Sequence, residues 1–400
     1  MAARVVTAGD NFTVLDRRAH PASSLWLPQH VAAIADHAEH RIPPIRLADA
    51  APILAGIDLW DMWPLQHADG STARFDGWTV WFVLSAPAIP DPDLRHGIAR
   101  IRLLTERDGQ WRDCGSALPD GLNPGSREWA GSSLYDAASN RVVLFYTVAG
   151  ERGEAPVTFA QRLFQTEGRL EIEAGHARIT GWTGPHESVC ADGVDYMVVN
   201  QSEGVPGFIK GFRDPAHFRD PADGRTYLLF TGSLRQSNSD WNGCIGIAGA
   251  TNEAFTEWDL LPPLLTADGL NNEQERPHVI HRNGLYYLFW STQRKVFAPG
   301  GPNGPNGLYG MVASTLQGPY KPLNGTGLVA ANPDETPYQA YSWWVTDELE
   351  VAGFVDLPGV AADGQIDDAG WRRDHFGGTP APRFHLVLDG QHAHVKQSGA

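Results

Sequence analysis

The sequence predicts an all-β fold, one domain of repeated antiparallel sheets closed into a ring as a β-propeller. Three observations lead there. Short runs of aromatic and β-branched residues recur from end to end, each opening on a turn signal. The 43 glycines and 29 prolines supply many turns. No linker or shift in composition divides the 400 residues. A ring of blades hides sheet edges that would otherwise recruit further strands. The runs are unevenly spaced, so the blades carry long, irregular loops. A β-sandwich with insertions is the alternative that periodicity leaves open.

Taken in order, residues 1–50 form an N-terminal segment packed on this body. In "LPQHVAAIADHAEH", Leu27, Val31, Ile34 and His37 recur at helical spacing, and Pro28 suits a first turn, so a short helix is expected. Strands are expected in "DGWTVWFVLS", "SNRVVLFYTV", "DGVDYMVVN", "DGRTYLLFTGS" and "NGLYYLFWS". Each opens on Asp-Gly, Ser-Asn or Asn-Gly, where a tight turn needs positive φ, and continues with residues that fit a buried pleated surface. A second helix is expected around "DETPYQAYSWWV". His392 and His394 are read as part of a solvated tail, and His186 in "GPHES" as a loop hydrogen-bonder.

The formal net charge of −16 disfavours nucleic acid and anionic membranes as partners. Cys114, Cys190 and Cys244 are odd in number and lack metal-ligand spacing, so neither a disulfide framework nor a zinc site is expected. There is no apolar run of about 18 residues and no recognisable signal peptide.

Three acidic residues stand out for their company. Asp61 lies between Trp60 and Trp63 in "WDMWPLQ"; Asp214 follows Arg213 in "GFRDP"; Glu275 lies in "NNEQERPH", two residues after Glu273 and next to Arg276. Separately these read as a turn, a surface ion pair and a solvated face. Together, in an aromatic-rich all-β chain, they read as a glycoside-cleaving site, because that chemistry needs carboxylates of opposed protonation and rings on which a sugar stacks. Residues two apart on a strand share a face, so Glu273 and Glu275 are expected on one side.

"WDMWPLQ", "EWAGS", "GFRDP", "NNEQERPH", "YYLFWSTQR" and "QAYSWW" occur in the order of the motifs of the levansucrase and bacterial β-fructofuranosidase family, glycoside hydrolase family 68, which the chain resembles from about Trp26 to about Asp356. The resemblance implies a five-bladed β-propeller with a central pocket, acting on sucrose by a retaining double displacement. It implies Asp61 as nucleophile, Glu275 as general acid and base, and Asp214 as transition-state stabiliser. Trp60 and Trp129 would wall the fructosyl pocket, and Arg213 and Arg276 would donate to sugar hydroxyls. Glu273 would bind the glucosyl moiety and Arg276, and Tyr341 would touch Glu275. Sucrose and sugar acceptors are the implied partners; no metal or cofactor is expected. An extracellular or periplasmic location is implied by the family alone.

Three departures matter. Ala130 stands where many members have a serine touching the nucleophile. Asn272 stands where members with structural calcium place aspartate, which weakens a hard-cation site. Gln293 stands where many polymer-forming relatives have arginine or histidine, a hint toward hydrolysis and short products, with Arg294 able to compensate if the register slips by one. The other readings are a fructoside-binding propeller without turnover and a propeller glycosidase for another furanoside.

Overall fold

The computed structural model describes residues 23–35, 38–200, 204–205 and 208–397. Five four-stranded antiparallel sheets follow one another along it. Blade 1 comprises Ile57–His67, Trp78–Pro87, Arg100–Arg107 and Gln110–Ser116. Blade 2 comprises Arg127–Asp136, Arg141–Ala149, Gln161–Glu173 and His176–Thr180. Blade 3 comprises Phe212–Arg219, Thr226–Ser233, Gly243–Ala250 and Trp258–Thr266. Blade 4 comprises Glu275–Arg282, Leu285–Thr292, Gly307–Ala313 and Leu328–Ala331. Blade 5 comprises Ala340–Val345, Glu350–Val355, Phe384–Asp389 and His392–Val395. The first strand of each blade packs on the first strand of the next, and that of blade 5 returns to that of blade 1. The chain is thus a β-propeller, and the sandwich alternative falls.

The turn signals act as their chemistry requires. Asp76-Gly77, Asp108-Gly109 and Asn283-Gly284 all have positive φ, the backbone of a tight two-residue hairpin that matches strand twist. Four of the five expected strands form. The fifth, Asp192–Asn200, does not, because the Asp192 carboxylate accepts from the backbone N–H of Val194, Asp195 and Tyr196 and curls the chain into a turn. The expected second helix is also overturned: Ala340–Val345 is the buried inner strand of blade 5. A short apolar run does not by itself distinguish the two. The one C-terminal helix, Ala369–His375, gave no clear apolar period. His392 and His394 belong to an edge strand rather than a tail, while Ala393 and Val395 between and after them point inward. His186 bonds the Thr256 carbonyl. The three cysteines are free.

The early helix is short, the five residues Pro28–Ala32; His37 lies outside the described residues. Upstream of it, Trp26 is buried among Trp290, Phe297 and Tyr309, with ring centroids 5.0–5.6 Å away. Ser24–Leu25 pairs with Leu265–Thr266 of blade 3, Ile42 N–H bonds Ala331 O of blade 4, and Ile45 N–H bonds the Gln339 side chain before blade 5. This segment therefore straps three blades from outside.

The ring closes between blades 5 and 1 without a shared strand. Leu59 N–H bonds Gly378 O at 2.9 Å, Thr72 bonds Asp347 through both its N–H and hydroxyl, and Arg373 grips buried Asp58 with two bonds of 2.6 and 3.0 Å. A bidentate guanidinium is the strongest link of that seam. Replacing Arg373 with methionine leaves Asp58 buried without its cation. Urea unfolding is expected to show a loss of about 3 kcal/mol; a change below about 0.5 kcal/mol removes the pair from the account of ring closure.

Candidate active site

Every inner strand breaks its ladder at the same level. The register shifts between Trp60 and Met62, Trp129 and Gly131, Arg213 and Ala216, Glu275 and His278, and Tyr341 and Trp344. Each bulge turns out residues that a regular strand would commit to pairing. Those residues are Asp61, Ala130, Asp214, Arg276 and Ser342. Asp214, Arg276 and Ser342 adopt φ of 60°, 51° and 59°, a left-handed backbone that costs a side chain about 1–2 kcal/mol each. Pro215 and Pro277 follow two of them, where a missing N–H costs no ladder bond. Gly131 has to be glycine: a Cβ there would meet Phe145 O at 1.9 Å.

These bulges bring Asp61, Asp214 and Glu275 together from blades 1, 3 and 4, near enough that their charges act on one another. Two buried arginines hold the group. Arg213 Nη2 donates to Glu273 Oε2 at 2.7 Å and to Glu275 Oε1 at 3.0 Å. Its charge is opposed by burial, but Glu273, Glu275 and Asp214 around it outweigh that and hold it protonated. Arg276, 2 % exposed, donates to Ser342 O and Oγ, both at 3.0 Å, and to Met62 O at 2.6 Å. It pulls Asp61 and Asp214 toward their ionised forms from within the protein. These hydrogen bonds commit its Nη1 and Nη2 atoms to the protein, while its Nε has no partner among the described residues.

Each carboxylate has a distinct setting. Burial pushes Asp61 up, and Arg276 and a hydrogen bond from the Ser342 hydroxyl oppose it. Burial also pushes Asp214 up to about 6, against Arg213 and Arg276. Arg276 N–H, the Thr231 hydroxyl and Arg213 Nε all face Asp214 Oδ2, at 3.2, 3.1 and 3.6 Å, which leaves Oδ1 for a ligand. Glu275 has the more exposed side chain, 21 %, and takes a hydrogen bond of 2.5 Å from Tyr341 Oη on Oε2. Burial and then Glu275 keep the Tyr341 hydroxyl protonated as a donor. Glu273 is not on a strand; it sits in the loop before blade 4, where Asn271 Oδ1 accepts its backbone N–H. It faces Glu275 across Arg213 instead of pairing with Arg276 as expected. Burial raises the Glu273 pKa to about 7, against Arg213 and with the charge of Glu275 adding.

Trp60 and Trp129 flank the group on blades 1 and 2. Trp60 is almost wholly buried, with Arg95 over its ring at 5.2 Å and His96 edge-on at 5.6 Å; Trp129 Nε1 donates to His96 O at 3.0 Å. Gln293 is partly exposed, at the head of the one-turn segment Arg294–Val296 between the second and third strands of blade 4. Sequence reasoning missed Arg95, His96, Thr231 and Ser342. Only Ser342 carried a signal, its place in "QAYSWW". It also resolves the departure at Ala130, because the hydroxyl that meets Asp61 comes from blade 5.

A family model described as Levansucrase/Invertase matches residues 16–242 and 234–399. The chain is 30 % identical over 417 residues to a levansucrase of Rahnella aquatilis, covering 94 % of each. It is 34 % identical over 368 residues to a levansucrase of Zymomonas mobilis, covering 85 % of this chain and 82 % of that one. Among solved structures, an inulosucrase from Halalkalicoccus jeotgali bound to kestose matches with a TM-score of 0.85 and 38 % identity, over 94 % of this chain and 95 % of that one.

A buried carboxylate with a raised pKa destabilises the fold wherever it is ionised. For Asp214 the cost is absent below the unfolded value of about 4, grows as pH rises, and is complete above about 6. Asp214→Asn is therefore expected to raise unfolding free energy at pH 7 by on the order of 2 kcal/mol, the gain vanishing toward pH 4. A variant less stable than the parent at neutral pH contradicts the assigned electrostatics.

Proposed function

This chain belongs to the Levansucrase/Invertase family, glycoside hydrolase family 68, and from that premise we propose that it cleaves sucrose with retention, passing the fructosyl unit to water or to a sugar acceptor. The observation that carries the reading is the meeting of Asp61, Asp214 and Glu275 around two buried arginines.

Asp61 is the nucleophile. Arg276 and the Ser342 hydroxyl supply the stabilisation its buried carboxylate needs to be ionised, and its oxygen attacks the anomeric carbon of the fructosyl unit. Glu275 gives its proton to the departing glucosyl oxygen. Arg213 and the Tyr341 hydroxyl, bonded to Oε1 and Oε2, fix the carboxyl's direction. Asp214, locked through Oδ2, offers Oδ1 to fructosyl hydroxyls whose bonds strengthen as positive charge develops on the ring. In the second half, Glu275 takes a proton from water or an acceptor hydroxyl, which attacks the fructosyl–Asp61 ester and restores both groups. Gln293, a neutral amide on the rim, favours water and short acceptors over a long growing chain.

Incubation with sucrose, following glucose and fructose separately, tests the reaction: glucose must appear. Equal fructose marks hydrolysis, a deficit of fructose marks transfer, and no glucose overturns the reading. Glu275→Gln is expected to lower turnover by roughly 10²–10⁴-fold, less on fructosides with good leaving groups; equal losses on both contradict its role. Asp61→Asn should trap no fructosyl-enzyme. The kcat/KM for sucrose should fall as pH drops through about 6, where Asp214 takes up a proton; an acid limb unchanged in Asp214→Glu would detach it from that group.

A further inference from the structure

The chain has four lysines, Lys210, Lys295, Lys321 and Lys396, and one of them, Lys210, is buried. It lies four residues before Asp214, between Ile209 and the inner strand of blade 3. Its ammonium donates to the Asp240 carbonyl, to Asn242 Oδ1 at 2.8 Å and to Asn272 Oδ1 at 2.9 Å. An ammonium has three N–H donors, and here they meet oxygens from two further segments. One is the loop before the third strand of blade 3, where Asn242 also bonds Leu234 O; the other is the loop before blade 4. The two loops press together there: a Cβ on Gly243 would meet the Asn272 backbone at 2.7 Å.

A positive charge can face only the carbonyl end of an amide. Lys210 therefore fixes which way Asn272, wholly buried, is turned. Asn272 Nδ2 then donates to Ile209 O at 2.9 Å and to Glu273 Oε1 at 3.2 Å. Ile209 N–H adds a second bond to the same Oε1 at 3.2 Å. With Oε1 held, Oε2 is presented to Arg213, and the same guanidinium nitrogen reaches Glu275. Single hydrogen bonds thus connect the ammonium, the Asn272 amide, Glu273, Arg213 and Glu275.

We propose that Lys210 is a positioning residue whose ammonium acts as a resident structural cation, setting the Asn272 amide and through it the Glu273 carboxylate that orients Arg213 against Glu275. Three oxygens from two separate loops around one positive charge is the arrangement a bound cation makes; in this chain the cation is covalently attached. The proposal rests on Glu275 as the acid and base of the reaction.

Lys210→Ala opens a space lined by the three oxygens, and Lys210→Met fills it with an uncharged chain. For sucrose cleavage, Lys210→Ala is expected to lose roughly 10–100-fold in kcat/KM, chiefly as a rise in KM, the loss of a charged hydrogen-bond donor. Methylammonium in the tens of millimolar should restore a large part of that loss in Lys210→Ala and none in Lys210→Met. Unchanged kinetic constants in Lys210→Ala, or a folded Lys210→Ala that methylammonium does not improve, overturn the proposal. Should the variants not fold, the parent protein still decides. With side-chain-labelled lysine, one of the four ammonium signals should keep protons protected from solvent exchange at mildly alkaline pH; four freely exchanging signals refute the cage. That measurement needs no turnover, so its failure is distinct from failure of the sucrose reading.

Discussion

The site depends on a backbone constraint: five inner strands that each give up pairing at one height. A regular strand alternates its side chains between two faces, both of which are packed in a propeller blade. A bulge frees a side chain from that alternation, and the bulges here free a carboxylate, an alanine, a second carboxylate, an arginine and a serine beside the paired Arg213, Glu275 and Tyr341. Three of them are non-glycine residues in a left-handed backbone. Such strain persists where neighbours over-determine it. Arg276 shows how: its N–H faces Asp214, and its guanidinium ties Met62 of blade 1 to Ser342 of blade 5. Bonds between bulges hold the bulges.

The charges follow from that geometry. Four acidic side chains share one region with two arginines, and burial works against the ionised forms of Asp61, Asp214 and Glu273. What keeps the cluster in place is that each arginine serves several acids and that backbone carbonyls and a hydroxyl take up further donors of Arg276. The shortage of positive charge has a chemical use. A cluster with fewer cations than carboxylates keeps a proton where an isolated acid would have lost it, and proton donation to a leaving group needs one.

Much of this was legible in the sequence, for identifiable reasons. Turn dipeptides such as Asp76-Gly77 and Asn283-Gly284 are local, and the hairpins they dictate formed. The residues in "WDMWPLQ", "GFRDP" and "NNEQERPH" pointed to the right neighbourhood because site chemistry is concentrated in them. What could not be read depended on distant partners. Asp192 looked like a turn residue opening a strand, but its carboxylate captured three N–H groups and ended the strand before it began. Ala340–Val345 could be a helix or a strand until Glu350–Val355 was there to pair with it. The sequence gives no sign that Arg276 also ties blade 1 to blade 5 through Met62 O and Ser342, from a backbone of positive φ. Lys210 and Asn272 are 62 residues apart and meet only when blades 3 and 4 are side by side.

The five-fold bulge layer also contrasts side chains bonded across blades with a turn that a single blade carries. Below it, Asp61, Asp214 and Arg276 are each bonded across blades, so altering one disturbs the others. Above it, Gln293 caps a single turn whose first N–H is tied to Asn306 in its own blade. The turn also reaches the support of the floor, where Val296 O accepts the Asn272 N–H at 3.0 Å. The Gln293 side chain makes no capping bond, so exchanging it alone leaves those backbone ties in place and changes only what stands at the head of the turn.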